Sequence, residues 1–475
     1  MKQRSIDVQI KEFSTDGHGM GSTLLLSNQK EIQVEVPFTI PGDQVNAILY
    51  KKTKDKYLSR SPKVTMPSNN RIDALCMHFG SCGGCCWQQL PYELQLKQKE
   101  KSIQDLFKPY LNENVKWHSI IPSSPWHYRN KMELTFSSDK AGRRYLGLIM
   151  QGTRGHVFQM KECLLANGWF AQAARAIQKW WDNSDVQAYH AIKDRGSLRT
   201  LTLREGLRTG DRLVMLTVSG NPDYALTKSQ LQSFVQVLRD SIELSNSDQK
   251  LSVFLRIQQI AKGRPTNFYE MLLYGPDHIR EKLYLPDFNE AIQTLNFRIS
   301  PSAFFQPNTE QAEKLYSQAL KLADLSASHV VYDLYCGTGT LGICSAKYVK
   351  EVIGIELSRE SVLDARENVK ENGLSNVTIK SGDVGQVLEA LSQENSLKPD
   401  VVMVDPPRIG LDAKAIKHIL DLKAPKLVYI SCNPKTQVMN LGPLIDGGYQ
   451  LQIVQPVDQF PQTVHVENIT LLTLP

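Results

Sequence analysis

The chain has 475 residues, 41% of them hydrophobic, 22% charged and 8% aromatic, with a net charge of +6. This is ordinary globular composition, which excludes wholesale disorder, and no stretch approaches the roughly 18 apolar residues of a membrane-spanning helix. At about 150 residues per domain the length predicts about three domains, each able to bury its own core. The start, Met1 to Asp7, lacks the apolar run of a signal peptide, so a cytoplasmic location is expected.

Residues 1–62 read as a small β-barrel. Ile6–Ile10, Glu31–Val36 and Gln44–Leu49 alternate apolar and polar residues, and Gly17, Gly19, Gly21, Pro41, Gly42 and Asp43 punctuate them. The modest net charge permits a polyanionic partner without demanding one. Lys51, Lys52, Lys54, Lys56, Arg60, Lys63 and Arg71 are set against Asp55. Such a run is ordinarily a solvated face, and it also suits phosphate contacts. Pro62 to Arg71 reads as a linker.

Residues 63–295 read as a central α+β domain. Four of the eight cysteines, Cys76, Cys82, Cys85 and Cys86, fall together. In a long chain of this kind the clustering points to a metal site rather than a disulfide framework. The spacing Cys76-x5-Cys82-x2-Cys85, with Cys163 remote, suits zinc or a [4Fe–4S] cluster, and spacing alone leaves both open. Leu90 to Lys108 predicts a helix, available to pack on the last domain. Strand-like signals follow from Tyr128 to Val218, interrupted by a helix at Ala171–Trp181. Tyr128-Arg129-Asn130-Lys131 and Arg143-Arg144-Tyr145 interleave cations with aromatics. That suits stacking and phosphate contact with a nucleic acid strand as well as it suits exposed strand decoration.

From residue 296 apolar strands alternate with helices: Val330–Leu334, Glu351–Glu356, a helix at Arg359–Asn372, Val377–Ile379, Val401–Asp405 and Leu427–Ser431. This pattern predicts a mostly parallel sheet covered on both faces, a Rossmann-like α/β domain over 296–475. The segment from Asp333 through Tyr335, Gly337 and Gly339 to Thr340 leaves a strand and enters a helix. Gly337 and Gly339 allow a tight turn and close backbone approach to a ligand. Glu356, ending the next strand, can accept from both ribose hydroxyls. Neither a full dinucleotide fingerprint nor a phosphate-gripping Gly-Lys-Ser/Thr is present. A nucleoside cofactor without phosphate fits better, which points to S-adenosylmethionine. Asp383 follows the third strand, where an adenine-facing group belongs. Asp405 ends the fourth, in a loop that Pro406 and Pro407 stiffen.

Cys432, in Ser431-Cys432-Asn433-Pro434, ends the fifth strand on the edge where ligands bind. A thiolate there can add to carbon 6 of a uracil and activate carbon 5 for methylation, after which a base removes the carbon 5 hydrogen. Glu467 precedes the terminal strand and is the candidate base, since an antiparallel last strand brings its start to the same edge.

Together these residues resemble the RNA uracil-5-methyltransferases, specifically the iron–sulfur 23S ribosomal RNA type with an N-terminal TRAM domain. The resemblance rests on Phe304-Phe305-Gln306-Pro307-Asn308, the Asp333–Gly339 segment, Asp405-Pro406-Pro407-Arg408, Ser431-Cys432-Asn433-Pro434 and His465-Val466-Glu467. In the barrel it rests on Asp16-Gly17-His18-Gly19 and Ile40-Pro41-Gly42-Asp43-Gln44-Val45. It implies Cys432 as nucleophile and Glu467 as base. It implies Gln306, Tyr335, Thr340, Glu356, Asp383 and Asp405 as S-adenosylmethionine contacts. It favours [4Fe–4S] over zinc, on Cys76, Cys82, Cys85 and Cys163, with Cys86 left out. The implied partner is 23S ribosomal RNA; no membrane or obligate protein partner is implied, and a monomer is expected. The rival readings are a transfer RNA uracil-5-methyltransferase, an RNA cytosine-5-methyltransferase and a non-catalytic, cluster-bearing RNA-binding or assembly protein.

Overall fold

The computed structural model describes residues 4–24, 30–153, 155–260, 263, 265–286, 290–393 and 398–475. Residues 1–3, part of the start read above for a signal peptide, lie outside them. The chain divides into two compact units, one of residues 1–101, 149–156 and 460–465, the other of residues 102–148, 157–459 and 466–475. Among the described residues no helix is long and apolar enough to cross a membrane.

In the first unit, β1 (Arg4–Phe13), β2 (Gly19–Leu24), β3 (Glu31–Val36), β4 (Gln44–Lys52) and β5 (Tyr57–Met66) close a barrel in the order β1-β2-β3-β5-β4. Its core is one face of each alternating strand: Val8, Ile10, Ile32, Val34, Val36, Val45, Ala47 and Leu49. The expected linker from Pro62 is in its first part the end of β5. The register of β5 against β4 slips between Arg60 and Lys63, so Pro62 sits in a bulge, where its missing N–H costs no ladder bond. A second small core gathers Ile40, Trp87 and Leu90 with Phe13, Cys86, Leu94 and Val464. Trp87 Nε1 donates to the Gly17 carbonyl at 2.9 Å, which holds the Asp16–Gly19 turn. The first part of α1 (Tyr92–Phe107) follows.

The second unit holds two sheets and a ribbon. Short β6 (Lys116–Trp117) precedes the central strands β7 (Lys131–Ser138), β8 (Arg144–Ile149), β9 (Val157–Gln159), β10 (Leu198–Glu205), β11 (Arg212–Ser219), β12 (Leu251–Gln259) and β13 (Asn267–Tyr274). These form one seven-stranded sheet in the order β13-β12-β11-β10-β7-β8-β9. Helices α2 (Gly168–Asp182) and α3 (Lys228–Ser241) bury Trp169, Trp181, Phe234 and Leu238 in the core on one of its faces. An antiparallel ribbon, β14 (Ile279–Pro286) and β15 (Ile292–Ile299), leads to α4 (Thr309–Ala323).

The last sheet contains β16 (Val330–Leu334), β17 (Glu351–Glu356), β18 (Val377–Ser381), β19 (Val401–Val404), β20 (Lys426–Ser431), β21 (Gln450–Val457) and β22 (Glu467–Thr473), in the order β18-β17-β16-β19-β20-β22-β21-β6. Strands β16 to β20 run parallel, and every residue of β16 and β19 is buried, as a sheet covered on both faces requires. Strand order reverses between β16 and β19. Such a switch point opens a crevice at the carboxyl ends of the strands. Helix α5 (Thr340–Ser345) leaves β16, α6 (Arg359–Glu371) leaves β17, α7 (Val384–Gln393) leaves β18, α8 (Ala413–Leu422) follows β19, and α9 (Pro434–Asp446) leaves β20.

Candidate active site

The crevice is built first by the loop after β16. Tyr335, Gly337 and Gly339 have φ of 64°, 56° and 81°. At Tyr335 this left-handed conformation costs about 1–3 kcal/mol, strain of the kind stored where a loop must take one shape. Asp333 secures the far side. Its Oδ2 accepts from Gly342 N at 2.7 Å and so ties the start of α5 to β16, while burial pushes its carboxyl up to about 7. A Cβ added at Gly337 would meet nothing within 4 Å. The backbone there faces open space, which suits a ligand lying against it. Glu356 Oε2 accepts from Gly337 N at 3.0 Å and Oε1 from Ser358 N at 2.7 Å. Its carboxylate is thereby oriented while lone pairs remain for further donors.

The other cofactor candidates take different places. The Thr340 hydroxyl is buried and bonded to that of Thr338 at 3.0 Å. Asp383 Oδ1 accepts from Gln386 N at 3.1 Å, so this acid caps α7 as well as standing at the end of β18. Gln306 is buried; its Oε1 accepts from Gln459 Nε2 at 3.3 Å, and its carbonyl accepts from Asn130 Nδ2 at 2.8 Å. In the same motif Phe305 joins the core, Asn308 caps α4, and Phe304 is 63% exposed. Tyr335, Gly337, Thr340 and Glu356 belong to the first and second strand ends, and Asp405 follows the strand across the switch point. This cradle fits a nucleoside-bearing methyl donor, and buried Gln459 Oε1, Glu467 Oε2 and Asn468 Oδ1 are left without hydrogen-bond partners among the described residues. Orphaned acceptors away from water are costly, which suits a site completed by a ligand.

The reactive edge comes from pairing of β20 with β22. The two run antiparallel with Ser431 opposite Asn468, so Cys432 and Glu467 are the next residues on each strand at the same edge. Gln437, fully buried on α9, locks them. Its Nε2 donates to the carbonyls of Tyr429 and Asn468 at 2.9 and 3.3 Å, and its Oε1 accepts from Asn468 Nδ2 at 2.8 Å. Burial pushes the Cys432 thiol up to about 11, and the charges of Glu467 and Asp405 add to the rise. Arg408 opposes it by charge and by a hydrogen bond. Burial, then the charge of Asp405, raises the Glu467 carboxyl well above the usual carboxylate range, again opposed by Arg408. Burial raises Asp405 as well. The charges of two carboxyls, Glu467 and Asp405, and of one cation, Arg408, thus act on the Cys432 sulfur.

Sequence reasoning placed Cys432, Glu467 and Asp405 but gave no role to Arg408, Gln437, Gln459 or Asn468. The signal for Arg408 was present in Asp405-Pro406-Pro407-Arg408, whose stiff loop holds the cation near the sulfur. For the amides there was none, because most of their partners are brought near by the fold rather than by the chain, Asn468 being 31 residues from Gln437.

Cys76, Cys82 and Cys85 lie in the first unit and Cys163 in the second. Among the described residues no three His, Cys, Asp or Glu side chains converge into a metal-holding set. Cys86 is turned into the small core, its sulfur 3.8 Å from the Gln462 carbonyl.

Comparison with known proteins adds a family. Residues 238–474 match the model of the family described as tRNA (Uracil-5-)-methyltransferase. Relatives include RNA methyltransferases whose individual reactions are uncharacterized. One from Protochlamydia amoebophila is 99% identical over 442 residues, covering 93% of this chain and 100% of the relative. One from Chlamydia pneumoniae is 38% identical, covering 84% and 97%, and one from Clostridium tetani is 34% identical, covering 98% and 97%. Among solved structures, the Pyrococcus abyssi tRNA (uracil-54, C5)-methyltransferase in complex with S-adenosyl-L-homocysteine superposes with a TM-score of 0.71 at 24% identity, covering 98% of this chain and 100% of that one. That likeness is one of fold.

Proposed function

The chain belongs to the RNA (uracil-5-)-methyltransferase family, and from that premise we propose that it methylates carbon 5 of a uridine in 23S ribosomal RNA, with Cys432 as nucleophile and Glu467 as base. S-adenosylmethionine supplies the methyl group as an electrophile on a cationic sulfur. Tyr335, Gly337, Thr340 and Glu356 hold its nucleoside, with Gln306, Asp383 and Asp405 around it. The single observation that carries this reading is the strand register that sets Cys432 and Glu467 at one edge.

The Cys432 thiol first gives up its proton, helped by the Arg408 cation and received by the Asp405 carboxylate, so that Glu467 stays ionised for the later step. The sulfur then bonds to carbon 6 of the uracil, and the displaced electron pair makes carbon 5 nucleophilic. Carbon 5 takes the methyl group. Glu467, as the carboxylate, removes the hydrogen from carbon 5; the pair left behind restores the carbon 5–carbon 6 double bond and expels the Cys432 thiolate. A paired base hides carbons 5 and 6 in its stack, so the uridine must be turned out or unpaired beforehand.

The thiol-rich loop supports the finer assignment of a [4Fe–4S] cluster on Cys76, Cys82, Cys85 and Cys163, and the barrel supports a TRAM-like RNA-binding module. Transfer RNA is the second reading, favoured by the matched family model. The test maps 5-methyluridine in ribosomal and transfer RNA from cells with and without the gene. Loss confined to 23S ribosomal RNA is expected. Loss confined to transfer RNA replaces the substrate, and no loss in either overturns the reading. Iron and acid-labile sulfide in anaerobically purified protein test the cluster.

A further inference from the structure

The segment that carries Gln306 from the ribbon into α4 is gripped from two sides. One side is Asn130, which its Tyr128-Arg129-Asn130-Lys131 motif made a candidate for contact with a nucleic acid strand. The structure turns Asn130 inward, 1% exposed, and buries Tyr128 as well. Asn130 N donates to the Pro307 carbonyl at 2.8 Å, and its Nδ2 donates to the Gln306 carbonyl at 2.8 Å and to the Thr309 hydroxyl at 3.1 Å. The Thr309 hydroxyl donates in turn to the buried Glu281 carboxylate at 2.9 Å. The main chain at Gln306 is thereby fixed, and the direction of its side-chain amide is left to another residue.

That residue is Gln459, fully buried on the other side. Its Nε2 donates to the Asn308 carbonyl at 3.2 Å and to Gln306 Oε1 at 3.3 Å, while Asn308 Nδ2 donates back to the Gln459 carbonyl at 3.2 Å. The main-chain carbonyl decides both amides. It can only accept, so Gln459 must meet it with nitrogen; an oxygen there would set two acceptors against each other. The same nitrogen faces Gln306, which must answer with its oxygen. Gln306 therefore turns its Nε2 away from Gln459, and that nitrogen donates to no protein atom among the described residues. The arrangement leaves Gln459 Oε1 without a partner among the described residues, a cost that a purely structural amide pair would be expected to avoid.

We propose that Gln459 is a positioning residue: it holds the Gln306 amide with its nitrogen toward the crevice, so that Gln306 meets an acceptor of the methyl donor as a hydrogen-bond donor. The proposal rests on the reading of Gln306 as a contact of S-adenosylmethionine. A uracil carbonyl could take the same donor, and the experiment separates the two.

S-adenosylhomocysteine binding to the full-length protein is measured by calorimetry at alkaline pH, and the thermal midpoint is recorded without ligand. Gln459→Met keeps the side chain's length and removes its amide. Gln459→Glu, ionised, offers only acceptors, so the Gln306 amide must turn over to donate to it. Affinity is expected to fall several-fold in Gln459→Met and about tenfold in Gln459→Glu. Gln306→Leu also lowers it, and adding either Gln459 substitution to Gln306→Leu lowers it no further, because a residue that acts through Gln306 then has nothing to position. A residue needed only for packing would add its own loss in that background. Additive losses overturn the proposal. So does wild-type affinity in both Gln459 variants, including the case in which only their binding of a labelled oligouridylate weakens, which would give the donor to the uracil. Gln459→Met decides alone if Gln459→Glu does not fold. Wild-type affinity in Gln306→Leu would remove Gln306 from the cofactor, a failure of the underlying reading that is distinct from the others.

Discussion

Ser431 pairs with Asn468 across antiparallel β20 and β22, and this places Cys432 and Glu467 side by side at the active edge. One residue of slip on either strand would turn one of the two side chains to the opposite face of the sheet. If they act as nucleophile and base, their losses must differ in kind. Cys432→Ala abolishes both methylation and any covalent RNA complex. Glu467→Gln slows turnover by about 10²–10⁴-fold and accumulates a protein–RNA adduct that survives denaturing electrophoresis. Absence of that adduct would remove Glu467 from the base role.

The thiol's elevated pKa gives a pH signature. A group raised to about 11 is protonated at neutral pH, so alkylation of Cys432 in ligand-free protein by iodoacetamide should climb with pH well beyond the range of a free thiol, roughly 8.5. Glu467→Gln removes a negative neighbour and shifts the alkylation midpoint down. Arg408→Met removes the opposing cation and shifts it up. Equal midpoints in all three proteins would show that these charges do not govern the sulfur.

Gly337 separates folding from ligand binding. A Cβ there meets no protein atom, so Gly337→Ala pays only for its left-handed backbone, about 1–2 kcal/mol. The same methyl occupies the space beside which a nucleoside is proposed to lie. Calorimetry should find S-adenosylhomocysteine binding weakened at least tenfold while the thermal midpoint drops only modestly.

The amide lock on α9 is structural and testable as such. Gln437→Leu takes one donor from the Tyr429 carbonyl, which keeps the Thr470 hydroxyl at 3.4 Å, and removes the acceptor of the buried Asn468 Nδ2, a loss of about 1–3 kcal/mol. Denaturant unfolding should register this loss. Stability equal to wild type would mean that water replaces the lock.

Acid sensitivity of the barrel follows from Glu35. A hydrogen bond from His18, aided by Lys56, holds its carboxyl down at about 2 against the opposing effect of burial. A carboxyl lowered on folding stabilises the native state above its unfolded pKa, and that stability is lost as pH falls through the folded value. Unfolding titrations between about pH 4.5 and 2 should show the loss, and Glu35→Gln should flatten it.

Much of the scaffold was legible because secondary structure is written in local periodicity. The runs Val330–Leu334 and Glu351–Glu356 coincide with β16 and β17 residue for residue, since a strand buried on both faces needs a largely apolar run. The barrel strands showed through their alternation, except where the bulge at Pro62 broke the rhythm and made the end of β5 look like a linker. Cys432 could be singled out because a strand end is a local feature. An antiparallel last strand could be expected to bring Glu467 to the same edge, but its residue-by-residue opposition to Cys432 needs a register between strands separated by a helix and another strand. The desolvation that raises Asp405, Glu467 and the thiol needs the whole packed domain. The meeting of Gln306 with Gln459, 153 residues apart, is likewise set by the fold. Short-range patterning determined which segments are strands, helices and turns and which residues stand at their ends. Only the tertiary structure decided which of those ends meet and how far water is excluded, because register and burial depend on residues remote in the chain.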